Sequence, residues 1–136
     1  MLMSESMTSN PKVVLVDDEK KFLHLAKKNL SLREFEVEVA EAGEEGIAKI
    51  YYFNPKVVLL DVLMPRLTGD ELVKMITDWR PEVQVIMVTA NISPEAREEC
   101  MRNGAYAYIH KPVNFDQLAE LIQEAAQKSE SLPPAS

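Results

Sequence analysis

The sequence Val-Val-Leu-Val at residues 13–16, followed at once by Asp-Asp-Glu at 17–19, decides the fold class of this chain. Similar apolar runs recur from Val57 to Leu60 and from Val83 to Val88, the latter with Gln84 inside it. These runs are continuous and rich in β-branched residues, which is typical of strands covered on both faces. They therefore predict a parallel sheet with helices on either side.

Two weaker runs bring the number of predicted strands to five. Phe35 to Ala40 alternates apolar and acidic residues, as an edge strand does, and Tyr106 to Ile109 is short and mixed. The segments between strands carry apolar residues at helical spacing: Phe22, Leu23, Ala26 and Leu30; Ile47, Ile50 and Tyr51; Leu72, Val73 and Ile76; Leu118, Leu121, Ile122 and Ala125.

Capping signals mark the ends of the helices. Thr68 and Glu71 have the spacing of a capping box, and Ser93 precedes a proline at a first helical position. Asn114 precedes the last helix, and Gly104 stands where the fourth helix should end. Strand and helix thus alternate five times between residues 12 and 128. This predicts an α/β fold, a three-layer (βα)5 sandwich around a parallel five-stranded sheet.

The composition fits one acidic globular domain. The 136 residues include 15 Lys and Arg against 22 Asp and Glu, a formal net charge of −7. This balance argues against direct binding to nucleic acid or to an anionic membrane surface, since both need clustered positive charge. The single cysteine, Cys100, favours a reducing, cytoplasmic location. No apolar run approaches the roughly 20 residues of a membrane span, and residues 1–10 lack signal-peptide features.

Polar residues gather where the predicted strands end, which is where open α/β sheets bind ligands. They are Asp17, Asp18 and Glu19 after the first strand, Asp61 after the third, Thr89 after the fourth, and Lys111 with Pro112 after the fifth. Each has an ordinary alternative: the Asp17-Asp18 pair could cap a helix, Asp61 and Thr89 could form turns, and Lys111 could be a solvated lysine. Together, Asp17, Asp18 and Asp61 place three carboxylates at one edge of one sheet, with the Thr89 hydroxyl and the Lys111 ammonium.

This combination has a chemical interpretation. Clustered carboxylates repel one another and are satisfied by a hard divalent cation such as Mg²⁺, which commonly accompanies phosphoryl oxygens. Lys111 adds a compact positive charge and Thr89 a hydroxyl donor. A metal, a carboxylate nucleophile, a lysine and a hydroxyl together describe phosphoryl transfer onto an aspartate.

The chain resembles the receiver domains of two-component response regulators, including chemotaxis-regulator-like members. The motifs that carry the resemblance are Val-Val-Leu-Val-Asp-Asp-Glu ending at Glu19, Leu-Leu-Asp-Val-Leu-Met-Pro-Arg-Leu-Thr-Gly around Asp61, Val-Thr-Ala around Thr89, and Tyr-Ile-His-Lys-Pro around Lys111. It covers residues 12–128 and implies a flavodoxin-like sheet with strand order 2-1-3-4-5. Residues 1–11 are then a disordered segment, and residues 129–136 a polar tail or linker stub.

The resemblance also implies roles for individual residues. Asp61 would be the phosphoacceptor. Mg²⁺, or Mn²⁺, would bind Asp18 directly, Asp17 through water, Asp61 itself and the backbone carbonyl of Leu63. Lys111 would pair with Asp61 and then with a phosphoryl oxygen, and Pro112 would follow a cis peptide bond. Thr89 would bond the phosphoryl group, and Tyr108 would rotate inward behind it as the second switch residue.

A receiver implies partners on both sides of the signal. A histidine kinase or a phosphotransfer protein would supply the phosphoryl group, and the chain would catalyse only its own phosphorylation and dephosphorylation. The relay surface would comprise the fourth helix, fifth strand and fifth helix, with Arg97, Glu98, Arg102, Tyr106 and Gln117. It would bind a downstream target, an output domain missing from this chain, or a second copy in a phosphorylation-dependent homodimer. Only 19 residues lie outside the predicted receiver, too few for an output domain.

Other readings of the site are weaker. An aspartate-nucleophile phosphatase would carry a second Asp two residues after the nucleophile, where this chain has Leu63. A flavin or nucleotide binder would need a Gly/Ser/Thr-rich loop in place of residues 17–19. A pseudo-receiver acting as a scaffold would have lost its acidic set. His24, His110 and Cys100 are expected to be structural. We also hypothesise that apolar Leu63, with Asn91 two residues after Thr89, leaves attacking water unpositioned and makes phospho-Asp61 long-lived.

Overall fold

Five strands and five helices alternate along residues 10–133, the part of the chain that the computed structural model describes. The strands are β1 (Lys12–Val16), β2 (Glu36–Ala40), β3 (Val57–Leu60), β4 (Gln84–Thr89) and β5 (Ala107–His110). The helices are α1 (Lys20–Leu32), α2 (Gly43–Phe53), α3 (Gly69–Trp79), α4 (Pro94–Arg102) and α5 (Phe115–Ser131). The predicted alternation of elements is confirmed, with strand ends shifted by one residue in places.

The strands form one parallel sheet in the order β2-β1-β3-β4-β5. The chain therefore goes outward from β1 to β2, returns across β1 to β3, and continues to the other edge. Strand order reverses between β1 and β3, where Val13 lies beside Val57. A crevice opens beyond the carboxyl ends of these two strands. The α/β fold class and the strand order are confirmed.

The sheet separates two hydrophobic clusters. On one face, Val14, Val58 and Val85 pack beneath α2, α3 and α4, with Leu72 and Ile76 among the fully buried residues. The opposite face carries Val13, Leu15, Leu59 and Ile86, which α1 and α5 cover with residues such as Leu30 and Leu118. Strands β1, β3 and β4 are buried on both sides, which explains why their sequences are continuously apolar.

The helix ends follow the capping signals. The Glu71 carboxylate accepts a 3.1 Å hydrogen bond from the Thr68 backbone N–H, and the Ser93 hydroxyl accepts one from Ala96 at 3.2 Å. Asn114 caps α5 by accepting from the Gln117 N–H at 3.0 Å. Gly104 has a positive φ of 111° after α4, a conformation that glycine adopts at little cost.

Two sequence expectations need correction. Tyr51, predicted to lie on the apolar face of its helix, is 59% exposed. The buried stripe of α2 instead runs through Gly43, Gly46 and Ile50. The close approach of Val16 to Gly46 explains this, since a Cβ there would lie 2.8 Å from a Val16 methyl group.

The second correction concerns the C-terminal tail. Helix α5 continues to Ser131 rather than ending at residue 128, and Ser129 is buried against the core. The predicted disordered segment, 1–11, lies outside the described residues except for its last two positions. Of these, Pro11 accepts a hydrogen bond from the Glu36 N–H at 3.0 Å, which ties it to the sheet. Among residues 10–133, no helix combines the length and apolar character needed to span a bilayer.

Candidate functional site

The two central strands deliver buried carboxylates to the crevice. Asp17 follows β1 and donates its N–H to the Ala40 carbonyl at 3.0 Å, and Asp61 follows β3 and donates to the Val16 carbonyl at 3.1 Å. Both residues thus extend the sheet by one further hydrogen bond. Asp17 is 1% exposed and Asp61 is 6% exposed. Two acidic side chains are therefore fixed at the edge of the core.

Asp18 completes a cluster of three carboxylates. One ligand oxygen from each of Asp17, Asp18 and Asp61 lies within 4.8 Å of the others, with Asp18 on the exposed side. Three oxygens at this separation, two buried and one open to solvent, suit a hard divalent cation that keeps several waters. The residues present therefore fit the Mg²⁺ or Mn²⁺ that the sequence predicts.

The Lys111 ammonium lies inside the same cluster. Its Nζ is 2.7 Å from Asp17 Oδ2, 3.2 Å from Glu19 Oε1 and 3.4 Å from Asp61 Oδ2. The Lys111 N–H also bonds the Thr89 carbonyl at 2.8 Å, which links the end of β5 to the end of β4. The expected pairing with Asp61 is present, but the nearest carboxylate belongs to Asp17.

Burial and charge shift the pKa values of this cluster. Burial raises the pKa of Asp17, and repulsion from Asp61 adds to this, against the hydrogen bonds from Lys111 and Glu19 that lower it. Burial alone would lower the pKa of Lys111, but its hydrogen bond to Asp17 and the charges of Asp17 and Asp61 outweigh this and raise it. Lys111 is therefore a cation throughout the neutral range.

A hydrogen-bonded loop joins the end of β4 to Tyr108 on β5. The fully buried Thr89 hydroxyl accepts from the Asn91 N–H at 3.1 Å, and the Tyr108 hydroxyl donates to the Asn91 carbonyl at 2.8 Å. Tyr108 is buried, and burial is the main cause that raises the pKa of its phenol. Its side chain is therefore buried with its hydroxyl bonded to the loop after β4.

Leu63 meets the site through its backbone. Its N–H donates to Asp61 Oδ1 at 3.1 Å, whereas its side chain is 56% exposed at the mouth of the crevice. The Asn91 side chain is engaged elsewhere, because its Oδ1 accepts from the Ser93 N–H at 2.8 Å. The peptide bond between Lys111 and Pro112 is cis, as expected.

The remaining predicted residues are not members of the cluster formed by Asp17, Asp18 and Asp61. Cys100 is fully buried, and burial together with the charges of Asp70 and Glu99 raises its thiol pKa from 9.0 to about 11. His24 is exposed on α1, and His110 is exposed beside the Tyr108 ring. In the expected relay surface, Arg97, Glu98, Arg102 and Gln117 are exposed and Tyr106 is partly buried.

Two residues near Lys111 had no assigned role in the sequence. Glu19, named among the polar residues at the strand ends but given no role, forms an ion pair with the ammonium, and its position two residues after Asp17 is a signal for this contact. The Phe22 ring lies with its centroid 4.2 Å from Nζ. The sequence marks Phe22 only as an apolar position of a helix. Its contact with Lys111 joins residues far apart in the chain, so local patterns do not reveal it.

Comparison with known proteins gives a consistent result. A family model described as the response regulator receiver domain matches residues 13–123. The regulatory protein AtoC of Escherichia coli (strain K12) is 31% identical over 121 residues, covering 89% of this chain and 26% of the relative. The transcriptional regulatory protein TrcR of Mycobacterium tuberculosis (strain ATCC 25618 / H37Rv) is also 31% identical, with coverages of 89% and 47%. The chain thus spans about a quarter to a half of these relatives.

A solved structure agrees over nearly its whole length. The response regulator receiver domain protein (CheY-like) from Methanospirillum hungatei JF-1 superposes with a TM-score of 0.85 at 36% identity. The match covers 90% of this chain and 98% of that one. The likeness therefore includes the sheet, the surrounding helices and the crevice.

Proposed function

The chain belongs to the family of response regulator receiver domains, and on that premise we propose that Asp61 is the residue that accepts the phosphoryl group. The observation that carries this assignment is the position of Asp61 at the end of the central strand β3. Its carboxylate shares one cluster with those of Asp17 and Asp18, and Lys111 Nζ lies 3.4 Å away. A nucleophile, a metal-binding set and a fixed cation therefore converge on one point.

The transfer follows from these positions. An oxygen of Asp61 attacks the phosphorus of a phosphohistidine on a histidine kinase or phosphotransfer protein; the O–P bond forms, the P–N bond breaks, and the imidazole keeps the electron pair. Lys111 supplies positive charge for the phosphoryl oxygens. Asp17, Asp18 and the Leu63 carbonyl would hold Mg²⁺ or Mn²⁺ with Asp61. When bound, this ion offsets the negative charge of the transferring group.

The response is proposed to pass through Thr89 and Tyr108. A phosphoryl group on Asp61 adds roughly −2 charge and three acceptor oxygens. Thr89 is the last residue of β4 and carries a hydroxyl donor, and its movement toward the phosphoryl group would draw in the loop at Asn91, to which Tyr108 is already bonded. The relay surface of α4, β5 and α5 then changes and controls a target protein, an attached output domain or a second copy.

A small phosphodonor tests the site assignment. Acetyl phosphate with Mg²⁺ is expected to give a hydroxylamine-labile adduct of one phosphoryl group, seen by mass spectrometry. Asp61→Asn is expected to abolish the adduct, and Asp78→Asn, an exposed residue paired with Lys74, is the matched control. An equal adduct on the Asp61→Asn variant would remove Asp61 from its role.

The partners and location are also proposals. Histidine kinases use ATP, which places the proposed reaction in the cytoplasm. Analytical ultracentrifugation of the phosphorylated and unphosphorylated forms separates the two kinds of output: a shift to twice the mass supports a homodimer, and unchanged mass supports a different partner. In either case the chain modifies only itself.

A further inference from the structure

The Lys111 ammonium is held between carboxylates and an aromatic face. Asp17, Glu19 and Asp61 approach Nζ at 2.7 to 3.4 Å, and the Phe22 ring centroid lies 4.2 Å away. Phe22 is in the first turn of α1, three residues after Glu19, and packs partly buried against the α1/α5 face of the sheet. The Lys111 side chain is only 14% exposed.

Two of the groups that contact Lys111 are also carboxylates of the proposed metal site. Asp17 and Asp61 belong to the cluster that suits a divalent cation, and the ammonium contacts both. A cation bound there would repel Lys111 and claim the carboxylate charge that attracts it. The attraction between Lys111 and these two carboxylates is therefore weakest when the site is loaded for phosphoryl transfer.

The other two partners differ in strength. Glu19 is largely exposed, and ion pairs in solvent contribute little because water screens them. Phe22 has no ligand atom for a hard cation, so metal binding leaves its ring available. A cation within about 6 Å of a ring centroid is attracted by the ring quadrupole, more strongly where water is excluded. The distance and the burial of Lys111 both meet this condition.

We propose that Phe22 is a positioning residue for phosphoryl transfer, whose ring keeps the Lys111 ammonium beside Asp61 while the carboxylates bind the metal. The inference rests on the proposed role of Asp61. In the step concerned, an Asp61 oxygen forms the O–P bond, the bond from phosphorus to the donor breaks, and the leaving group keeps the electron pair. Phe22 touches none of these atoms and acts only through Lys111.

Three variants separate the ring from simple packing. Phe22→Leu keeps an apolar side chain and loses the aromatic face, whereas Phe22→Tyr keeps the face. Phe115→Leu is the matched control, because Phe115 packs partly buried against the same cluster. With acetyl phosphate and saturating Mg²⁺, we expect Phe22→Leu to be phosphorylated about five- to thirty-fold more slowly than the unaltered chain. Phe22→Tyr and Phe115→Leu are expected to retain the rate.

A spectroscopic readout needs no phosphorylation. The ring current of Phe22 is expected to move the Lys111 ε-methylene proton resonances upfield of those of the other lysines, in both metal-free and Mg²⁺-saturated protein. The shift is expected to vanish in Phe22→Leu and to persist in Phe22→Tyr. Because the shift is expected in the unaltered chain, its presence or absence there does not depend on the folding of any variant.

Several results would overturn the inference. They are equal rates in Phe22→Leu and the unaltered chain, equal losses in Phe22→Leu and Phe22→Tyr, and loss of the upfield shift on adding Mg²⁺. Failure of the proposed function has a different signature, namely no adduct on the unaltered chain or an adduct that survives Asp61→Asn. The two failures are thus distinguishable.

Discussion

Gly69 packs directly against the backbone of Asp61. A Cβ built on Gly69 would lie 2.3 Å from the Asp61 carbonyl oxygen and 2.6 Å from the Cα of Val62. The Gly69 N–H also donates to the Val62 carbonyl at 3.0 Å. The first residue of α3 therefore rests on the chain segment that carries the proposed phosphoacceptor, and only a hydrogen fits between them.

Gly69→Ala is expected to destabilise the fold by about 1–3 kcal/mol, because the added Cβ would meet backbone atoms of Asp61 and Val62 that cannot yield without moving Asp61. Urea unfolding measures the loss. Gly43→Ala is the matched control, since Gly43 also begins a helix but its added Cβ would meet the end of the Leu67 side chain at 2.8 Å. That side chain can rotate, so a smaller loss is expected. Equal losses would contradict the argument.

Mg²⁺ is expected to raise the thermal midpoint of unfolding, because the carboxylate cluster exists only in the folded chain. At a metal concentration about 100 times Kd, binding raises the free energy of unfolding by about 2.7 kcal/mol. Asp18→Asn removes one of the three clustered ligands and is expected to reduce the shift, whereas Asp78→Asn is expected to keep it. Calorimetry with and without chelator gives the comparison, and a midpoint insensitive to Mg²⁺ would argue against a metal site.

Leu63→Asn is expected to shorten the lifetime of phospho-Asp61 several-fold. The Leu63 side chain is exposed at the mouth of the crevice and offers no hydrogen bond to water, whereas an amide there does. Decay of the adduct is followed by mass spectrometry after removal of the donor. Leu32→Asn, at an exposed leucine on α1, is the control. An unchanged decay rate in Leu63→Asn would refute the hypothesis.

Cys100 is expected to resist alkylation by iodoacetamide at pH 8 in the native protein and to react after unfolding in guanidinium. Its thiol is buried with a pKa of about 11, and the thiolate is the reactive form. The ordinary pKa of the thiol is 9.0 and its pKa in the folded chain is about 11. Between these two pH values, Cys100 loses its thiol proton in the unfolded chain and keeps it in the folded chain. Stability attributable to Cys100 therefore falls as pH rises through that window. Fast native alkylation at pH 8 would contradict this.

Local sequence signals were sufficient for the elements of the fold and for the edge where the polar residues meet. Residue types at strand ends predicted the cluster of Asp17, Asp18 and Asp61, because parallel strands share one carboxyl edge. The buried face of α2 was predicted wrongly because a hydrophobic pattern does not include glycine. Gly43 and Gly46 nevertheless belong to that face. In α5, the polar Ser129 concealed a further helical turn.

Local sequence patterns could not predict the contacts between elements that lie far apart in the chain. Lys111 and Asp17 are separated by 94 residues, and their 2.7 Å contact depends on how β5 is placed relative to β1. The same holds for the ring of Phe22 beneath the ammonium. Residue type predicted the polar side chains that meet at this edge of the sheet, whereas the packing of the sheet and helices decided which of them touch.

The sheet separates the two hydrophobic clusters into two layers, so substitutions in one layer are expected to change stability independently of those in the other. Leu72 belongs to one cluster and Leu118 to the other, so we expect their effects on stability to add, whereas neighbours within one cluster are expected to couple. Each layer also contacts Asp61 differently. On one side Gly69 packs against the Asp61 backbone, and on the other the Phe22 ring contacts Lys111, which pairs with Asp61. Substitutions beside Gly69 and substitutions beside Phe22 are therefore expected to affect Asp61 through separate contacts.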